Sequence, residues 1–145
     1  MTEVLMIRVE KGAIYQGLVY DYSIYCTLNN MQEIVLDTAV PDLIDVCPFI
    51  FIGRKIFVSI KALFIQKECD KNLYSFYGEI RKKKEEYFFI NDFIEIEINE
   101  SDIISENIPL NELGTYYFGR LDIKTISDNG YIIGANPISK FKLIK

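Results

Sequence analysis

The stretch "IYQGLVYDYSIYCTL", residues 14–28, alternates between apolar and polar faces over most of its length. The more polar face carries Gly17, Asp21, Ser23 and Thr27, with Tyr15, Val19 and Tyr25 among them. A period of two is typical of a half-buried β-strand. We therefore predict one long strand, which Gly17 would allow to bend, with Tyr25 on the face opposite the core. The residues predicted to share the core face, interrupted only by Gln16, are Ile14, Leu18, Tyr20, Tyr22, Ile24, Cys26 and Leu28.

The same alternation recurs in four later segments, at 54–64, 93–99, 120–124 and 140–143. Each has one apolar and one polar face, as antiparallel strands with one wet face commonly do. The predicted inward residues are Ile56, Val58, Ile60, Ala62 and Phe64, then Ile94, Ile96 and Ile98, then Leu121 and Ile123, and finally Phe141 and Leu143.

Turns and short irregular segments separate these strands. "SDNG" at 127–130 predicts a hairpin because Asn and Gly accept positive φ, and "RKKKEE" at 81–86 indicates a solvated hairpin tip. We predict a short helix or an irregular crossing for segment 40–48, and a loop with a helical turn near Pro109 for segment 100–114. A helix through "KALFIQKECDKN", 61–72, is the main rival to these strands. The predicted fold is all-β, or mainly β with one or two short helices, as an antiparallel barrel or sandwich.

Length and composition favour one β-rich domain spanning residues 1–145. Three separated cysteines, Cys26, Cys47 and Cys69, are read as buried free thiols in a reducing compartment. The N-terminal residues do not resemble a secretory signal, and no apolar run is long enough for a membrane helix. We expect a cytoplasmic protein without membrane contact.

Several kinds of chemistry have no support in the sequence. The chain has no histidine, which removes the commonest general base and histidine-dependent triads. No zinc ligand set, phosphate loop or dinucleotide motif is present. Glu95 and Glu97 project from one strand face and could share an ion, but such pairs are common on wet sheet faces. We predict a non-enzyme without metal or cofactor.

The outstanding feature is an acidic segment. Between Glu85 and Gly119 there are nine acidic residues and no Lys or Arg. Two interpretations stay open: basic residues of other strands, with Lys55 and Lys61 as candidates, neutralise the segment, or it forms a negative patch that captures a basic protein. The predicted partner-binding residues are Glu95, Glu97, Glu100, Asp102 and Glu106, with Tyr116 and Tyr117 as aromatic anchors at the rim.

The sequence thus predicts a protein-binding domain, an inhibitor or adaptor that presents acidic residues to a basic partner. Immunity proteins of bacterial toxins and phage-encoded antagonists of nucleases share this physical profile. The first alternative is an OB-like barrel that binds single-stranded nucleic acid or a small ligand through the aromatic and basic residues Tyr15, Tyr25, Phe57, Arg54, Lys55 and Lys61. The net charge of −5 argues against nucleic acid. A further alternative is an assembly subunit that forms homo-oligomers through exposed β-edges.

Overall fold

The computed structural model describes residues 1–19, 21–38, 51–68, 73–128, 131–134 and 142–144. The predictions made for Tyr20, Cys47, Cys69 and Phe141, for segment 40–48 and for turn residues 129–130 lie outside these residues.

The described chain is mainly β, with one short helix. The first half contains β1 (Thr2–Lys11), β2 (Ile14–Tyr15), β3 (Leu18–Val19), β4 (Tyr22–Leu28), β5 (Glu33–Thr38), β6 (Lys55–Ala62) and β7 (Ile65–Gln66). The second half contains β8 (Tyr74–Lys83), β9 (Glu86–Ile90), β10 (Glu95–Ile98), α1 (Glu100–Ser105), β11 (Gly114–Phe118), β12 (Leu121–Asp128), β13 (Tyr131–Gly134) and β14 (Lys142–Ile144).

Five strands close into a barrel. Strand β1 pairs antiparallel with β4 and β6, and β4 pairs antiparallel with β5. Because β6 returns beside β1 after the β1–β4–β5 run, these four strands form a Greek key. Strand β12 closes the barrel between β6, to which it is antiparallel, and β5, to which it is parallel. The predicted fold class is therefore confirmed, as a barrel with additional strands.

The barrel core follows from alternation along each strand. In β4 and β6 the inward residues are those that the period of two predicts, from Tyr22 to Leu28 and from Ile56 to Ala62. Strands β1 and β5 obey the same rule, with Val4, Met6, Ile34 and Leu36 buried. Burial of such branched and aromatic side chains is the main favourable contribution to stability.

A second group of strands extends from the C-terminal end of β6. Strand β10 pairs parallel with β6 at Ile60 and Lys61, and β9, β8, β11 and β7 follow in order. An aromatic cluster of Phe76, Phe89, Tyr116 and Phe118 fills this region, with the Phe89 and Phe118 ring centroids 4.9 Å apart. Edge-to-face packing of this kind adds to the stabilisation from burial.

The structure corrects the single long strand predicted for residues 14–28. Strands β2 and β3 form a small hairpin that reverses the chain at Gln16 and Gly17, whose φ angles are 51° and 77°. The chain then enters β4 at Tyr22. As a result Ile14, predicted to be in the core, is 60% exposed.

Three further predictions differ from the structure. Strand β6 ends at Ala62, and Phe64 is partly exposed because its ring lies against Gly119 rather than in the core. The rival helix at 61–72 is wrong for the described residues 61–68, which hold the end of β6 and strand β7. The helical turn expected near Pro109 lies earlier, at α1.

Candidate functional site

The predicted acidic surface is partly neutralised by lysines from other strands. Glu97 on β10 accepts a hydrogen bond from Lys124 Nζ at 2.8 Å, and Lys61 Nζ lies 3.5 Å from its other oxygen. Glu95 lies 3.8 Å from Lys83 Nζ. Lys61 thus acts as the neutralisation alternative predicts, whereas Lys55 forms no ion pair within the described part of the chain.

The remaining predicted acids lie on and beside α1. Glu100 and Glu106 are exposed, and Asp102 is half-buried. One Asp102 oxygen, Oδ2, is buried and has no hydrogen-bond partner among the described residues. Glu100 and Glu106 are therefore the exposed acids of this segment.

The structure overturns the rim position of Tyr116. Its side chain is 2% exposed, its ring packs edge-on against Phe89, and its hydroxyl donates to the Glu112 carbonyl at 3.1 Å. Burial raises the pKa of Tyr116 above its ordinary value. Alternation along β11 directs Tyr116 and Phe118 inward and leaves Tyr117 half-buried on the other face. Tyr116 is therefore a core residue.

A groove that the sequence did not predict crosses the outer face of β1, β4 and β5. It has a volume of about 440 Å³. Its lining comes from three adjacent strands: Ile7 and Arg8 of β1, Tyr25, Cys26 and Thr27 of β4, and Glu33, Ile34 and Val35 of β5.

Strand register arranges the outward side chains of this face in rows. Arg8, Tyr25 and Val35 form the central row. Glu10, Ser23 and Asp37 form the row on one side, and Leu5, Thr27 and Glu33 the row on the other. Neighbours within a row lie close enough for cross-strand contact. Tyr25 is thus the centre of a three-by-three face.

A register shift in β1 shapes one wall of the groove. The β1–β4 pairing slips between Met6 and Arg8, so that Ile7 is an additional residue. Such a bulge bends the strand and re-aims side chains. Ile7 and Arg8 consequently both face outward, and Ile7 is 50% exposed.

Three side chains in the middle of the face form one linked unit. The Arg8 guanidinium carbon lies 4.0 Å from the Tyr25 ring centroid, a cation–π contact. Glu10 lies 3.3 Å from Arg8 Nη2 and accepts a hydrogen bond from the Tyr25 hydroxyl at 3.0 Å. Glu10 therefore holds both groups in place.

Two more carboxylates flank the groove on β5. Glu33 is exposed and forms no ion pair with any described residue. Asp37 accepts a hydrogen bond from Ser23 at 3.3 Å and lies 3.8 Å from Arg120 Nε. Burial raises the pKa of Asp37, and this effect exceeds the opposing attraction of Arg120. Of the three carboxylates on this face, Glu10 pairs with Arg8, Asp37 lies beside Arg120, and Glu33 has no ion pair among the described residues.

The signal for this face was present in the sequence "EIVLDT", residues 33–38. Its alternation places Ile34 and Leu36 inside and Glu33, Val35 and Asp37 outside. The segment is short and carries only two acids. The partner-binding surface was therefore predicted in the longer acidic run at 85–119.

The thiol beneath the groove has no chemical role that the geometry supports. Cys26 is 2% exposed, and burial raises its pKa to about 12. It therefore stays protonated and unreactive near neutral pH. The described residues also contain no group of three His, Cys, Asp or Glu side chains that could hold a metal ion.

No helix in the described part of the chain is long and apolar enough to cross a membrane. A scan against protein-family models matches none, and searches of curated proteins and of solved structures find no match.

Proposed function

We propose that this protein is a non-enzymatic binding domain, an inhibitor or adaptor, and that it binds a basic protein in the groove over β1, β4 and β5. The observation that carries the proposal is Glu33, an exposed carboxylate in the lining of the groove that forms no ion pair with any described residue. Negative potential at a groove attracts a basic surface and raises the association rate.

The groove also has the features of a protein-binding centre. Ile7 supplies an exposed apolar side chain, and Val35 lies half-buried across the face. Tyr25 is held in one orientation by Arg8 and Glu10, so binding would cost little additional side-chain entropy. Fixed aromatic and arginine side chains are frequent anchors at interfaces.

A charge-reversal capture experiment tests the proposal. Wild type, Glu33→Lys and Glu100→Lys would each be used as bait in lysate of the source cell, with captured proteins quantified by mass spectrometry. The two variants make the same charge change, one in the groove and one on α1. We expect wild type and Glu100→Lys to capture the same basic protein, and Glu33→Lys to lose it by about tenfold or more. Added salt should weaken capture.

The other outcomes discriminate the alternatives. Loss of capture with Glu100→Lys and retention with Glu33→Lys would place binding on the α1 acids instead. Equal capture by all three baits, insensitive to salt, would contradict an electrostatic binding function.

Binding of single-stranded nucleic acid is the second candidate. The five-stranded Greek-key barrel favours it, because OB-fold barrels bind oligonucleotides on the outer face of such strands. Against it, Arg8 covers one face of the Tyr25 ring, and Lys61 is engaged by Glu97. A labelled oligothymidine that binds wild type at low salt, but not Tyr25→Ala, would establish this candidate.

A further inference from the structure

The outer edge of β5 is only partly paired. On its inner side β5 pairs with β4 along its whole length, from Glu33 to Thr38. On its outer side, among the described residues, pairing with β12 is confined to Asp37 and Asp122. The edge from Glu33 to Leu36 therefore has no strand beside it in the described part of the chain.

On this edge, a side-chain hydroxyl accepts the hydrogen bond of one backbone N–H. The Val35 N–H donates a hydrogen bond to the Tyr74 hydroxyl at 2.9 Å. In an antiparallel pair, alternate residues direct their N–H and C=O away from the partner strand. Because Val35 does so, Glu33 and Asp37 do so as well. Tyr74 stands where the backbone carbonyl of a neighbouring strand would otherwise accept.

The charges on this edge select the kind of strand that would fit. The outward side chains of β5 are Glu33, Val35 and Asp37, a carboxylate on each side of an aliphatic residue. An added strand would place its own outward side chains directly beside them. Lysine or arginine would complement Glu33, which has no ion pair among the described residues, whereas Asp37 already lies 3.8 Å from Arg120 Nε.

We infer that the partner contributes an extended basic segment that pairs with the outer edge of β5 and displaces the Tyr74 hydroxyl from the Val35 N–H. This inference rests on the proposed function and specifies its mode, the addition of a strand to an exposed sheet edge. Main-chain hydrogen bonds would supply affinity, and Glu33 would select basic side chains.

A synthetic peptide pair tests the main-chain part. The probe is an acetylated and amidated heptapeptide of alternating Lys and Val, and its control is the same peptide with every backbone nitrogen methylated. The control keeps charge and side chains but has no N–H donors. We expect the control to bind about tenfold or more weakly, since several backbone hydrogen bonds are lost. In isotope-labelled protein, the Val35 amide resonance should shift on addition of the probe.

A matched pair of tyrosine variants tests the displacement. Tyr74→Phe removes the competing hydroxyl, so affinity for the probe should rise about threefold or more. Tyr77→Phe, an exposed tyrosine on the same strand, should leave affinity unchanged. Glu33→Lys should weaken binding of the probe.

Three results would overturn strand addition: equal binding of the two peptides, an unperturbed Val35 amide, or no binding of either peptide while lysate capture stays sensitive to Glu33→Lys. Each leaves the proposed function standing. Probe binding that is indifferent to Glu33→Lys would instead overturn the groove as the basic-partner site.

Discussion

Strand β10 and the outer face of β5 both present carboxylates, but their pairing differs. The segment from Glu85 to Gly119 has no basic residue in sequence, yet its β10 carboxylates are met by lysines in space. The outer face of β1, β4 and β5 draws its acids from separate strands, and Glu33 stays unpaired among the described residues. The contrast therefore lies between single carboxylates: Glu97 is paired with two lysines, and Glu33 is paired with none among the described residues.

The difference arises from strand pairing. Strand β6 lies beside both β10 and β12, so Lys61 and Lys124 flank Glu97 although they are far from it in sequence. Cross-strand neighbours, rather than chain neighbours, set local charge in a sheet. The same rule places Glu10, Ser23 and Asp37 in one row.

The largest expected loss of stability follows from charge reversal of Glu97 on β10. Glu97→Lys would remove the partner of two lysines at a site where the Glu97 side chain is only 14% exposed. Both lysines are partly exposed, so we expect a loss of about 2 kcal/mol in the free energy of unfolding, less than for a fully buried pair. Urea denaturation measures it. Glu100→Lys on exposed α1 is the control, and an equal loss in the two variants would contradict the comparison.

A smaller loss of stability is expected where Tyr74 of β8 contacts β5. Tyr74→Phe would leave the Val35 N–H without its acceptor, which should lower the free energy of unfolding by about 1 kcal/mol. The Val35 amide should also exchange faster with solvent in hydrogen-exchange measurements. Tyr77→Phe should change neither quantity; unaltered Val35 exchange in Tyr74→Phe would show that this hydrogen bond does not form in solution.

Much of the fold could be predicted because one face of each strand is buried. Period-two alternation identified the inward residues of β4, β6, β10 and β12. It failed at residues 14–28 because apolar residues flank the turn at Gln16 and Gly17 on both sides, so alternation gave no sign of the reversal. It also could not locate the end of β6, since Phe64 is apolar but packs on Gly119 outside the core.

The candidate site was less predictable because it depends on register. The rows that join Arg8 to Tyr25, and Glu10 to Asp37, exist only once β1, β4 and β5 are aligned and Ile7 is bulged. Neither pattern nor composition fixes such pairings between strands.

A pH-dependent effect is expected at the edge of the groove. Because burial raises the pKa of Asp37, the folded state binds its proton more tightly than the unfolded state. Stability is therefore lost as pH rises through the ordinary carboxyl range to the folded pKa. Asp37→Asn should remove this cost and be more stable than wild type near neutral pH, by less than about 1 kcal/mol. Denaturation at about pH 7 and about pH 3.5 should show the difference shrinking in acid; a less stable variant at neutral pH would mean that Arg120 outweighs burial.

The smallest expected effect on stability belongs to the residue most important for the proposed binding. Glu33 is exposed and has no ion pair among the described residues, so Glu33→Lys should change the free energy of unfolding by less than about 0.5 kcal/mol. Urea denaturation beside Glu97→Lys makes the contrast direct. Charge reversal of a carboxylate that stabilises the fold lowers the free energy of unfolding. Charge reversal of a carboxylate that only contacts a partner lowers the affinity for that partner and leaves stability unchanged. If Glu33→Lys unfolds as readily as Glu97→Lys, then Glu33, like Glu97, stabilises the fold and is not kept for a partner.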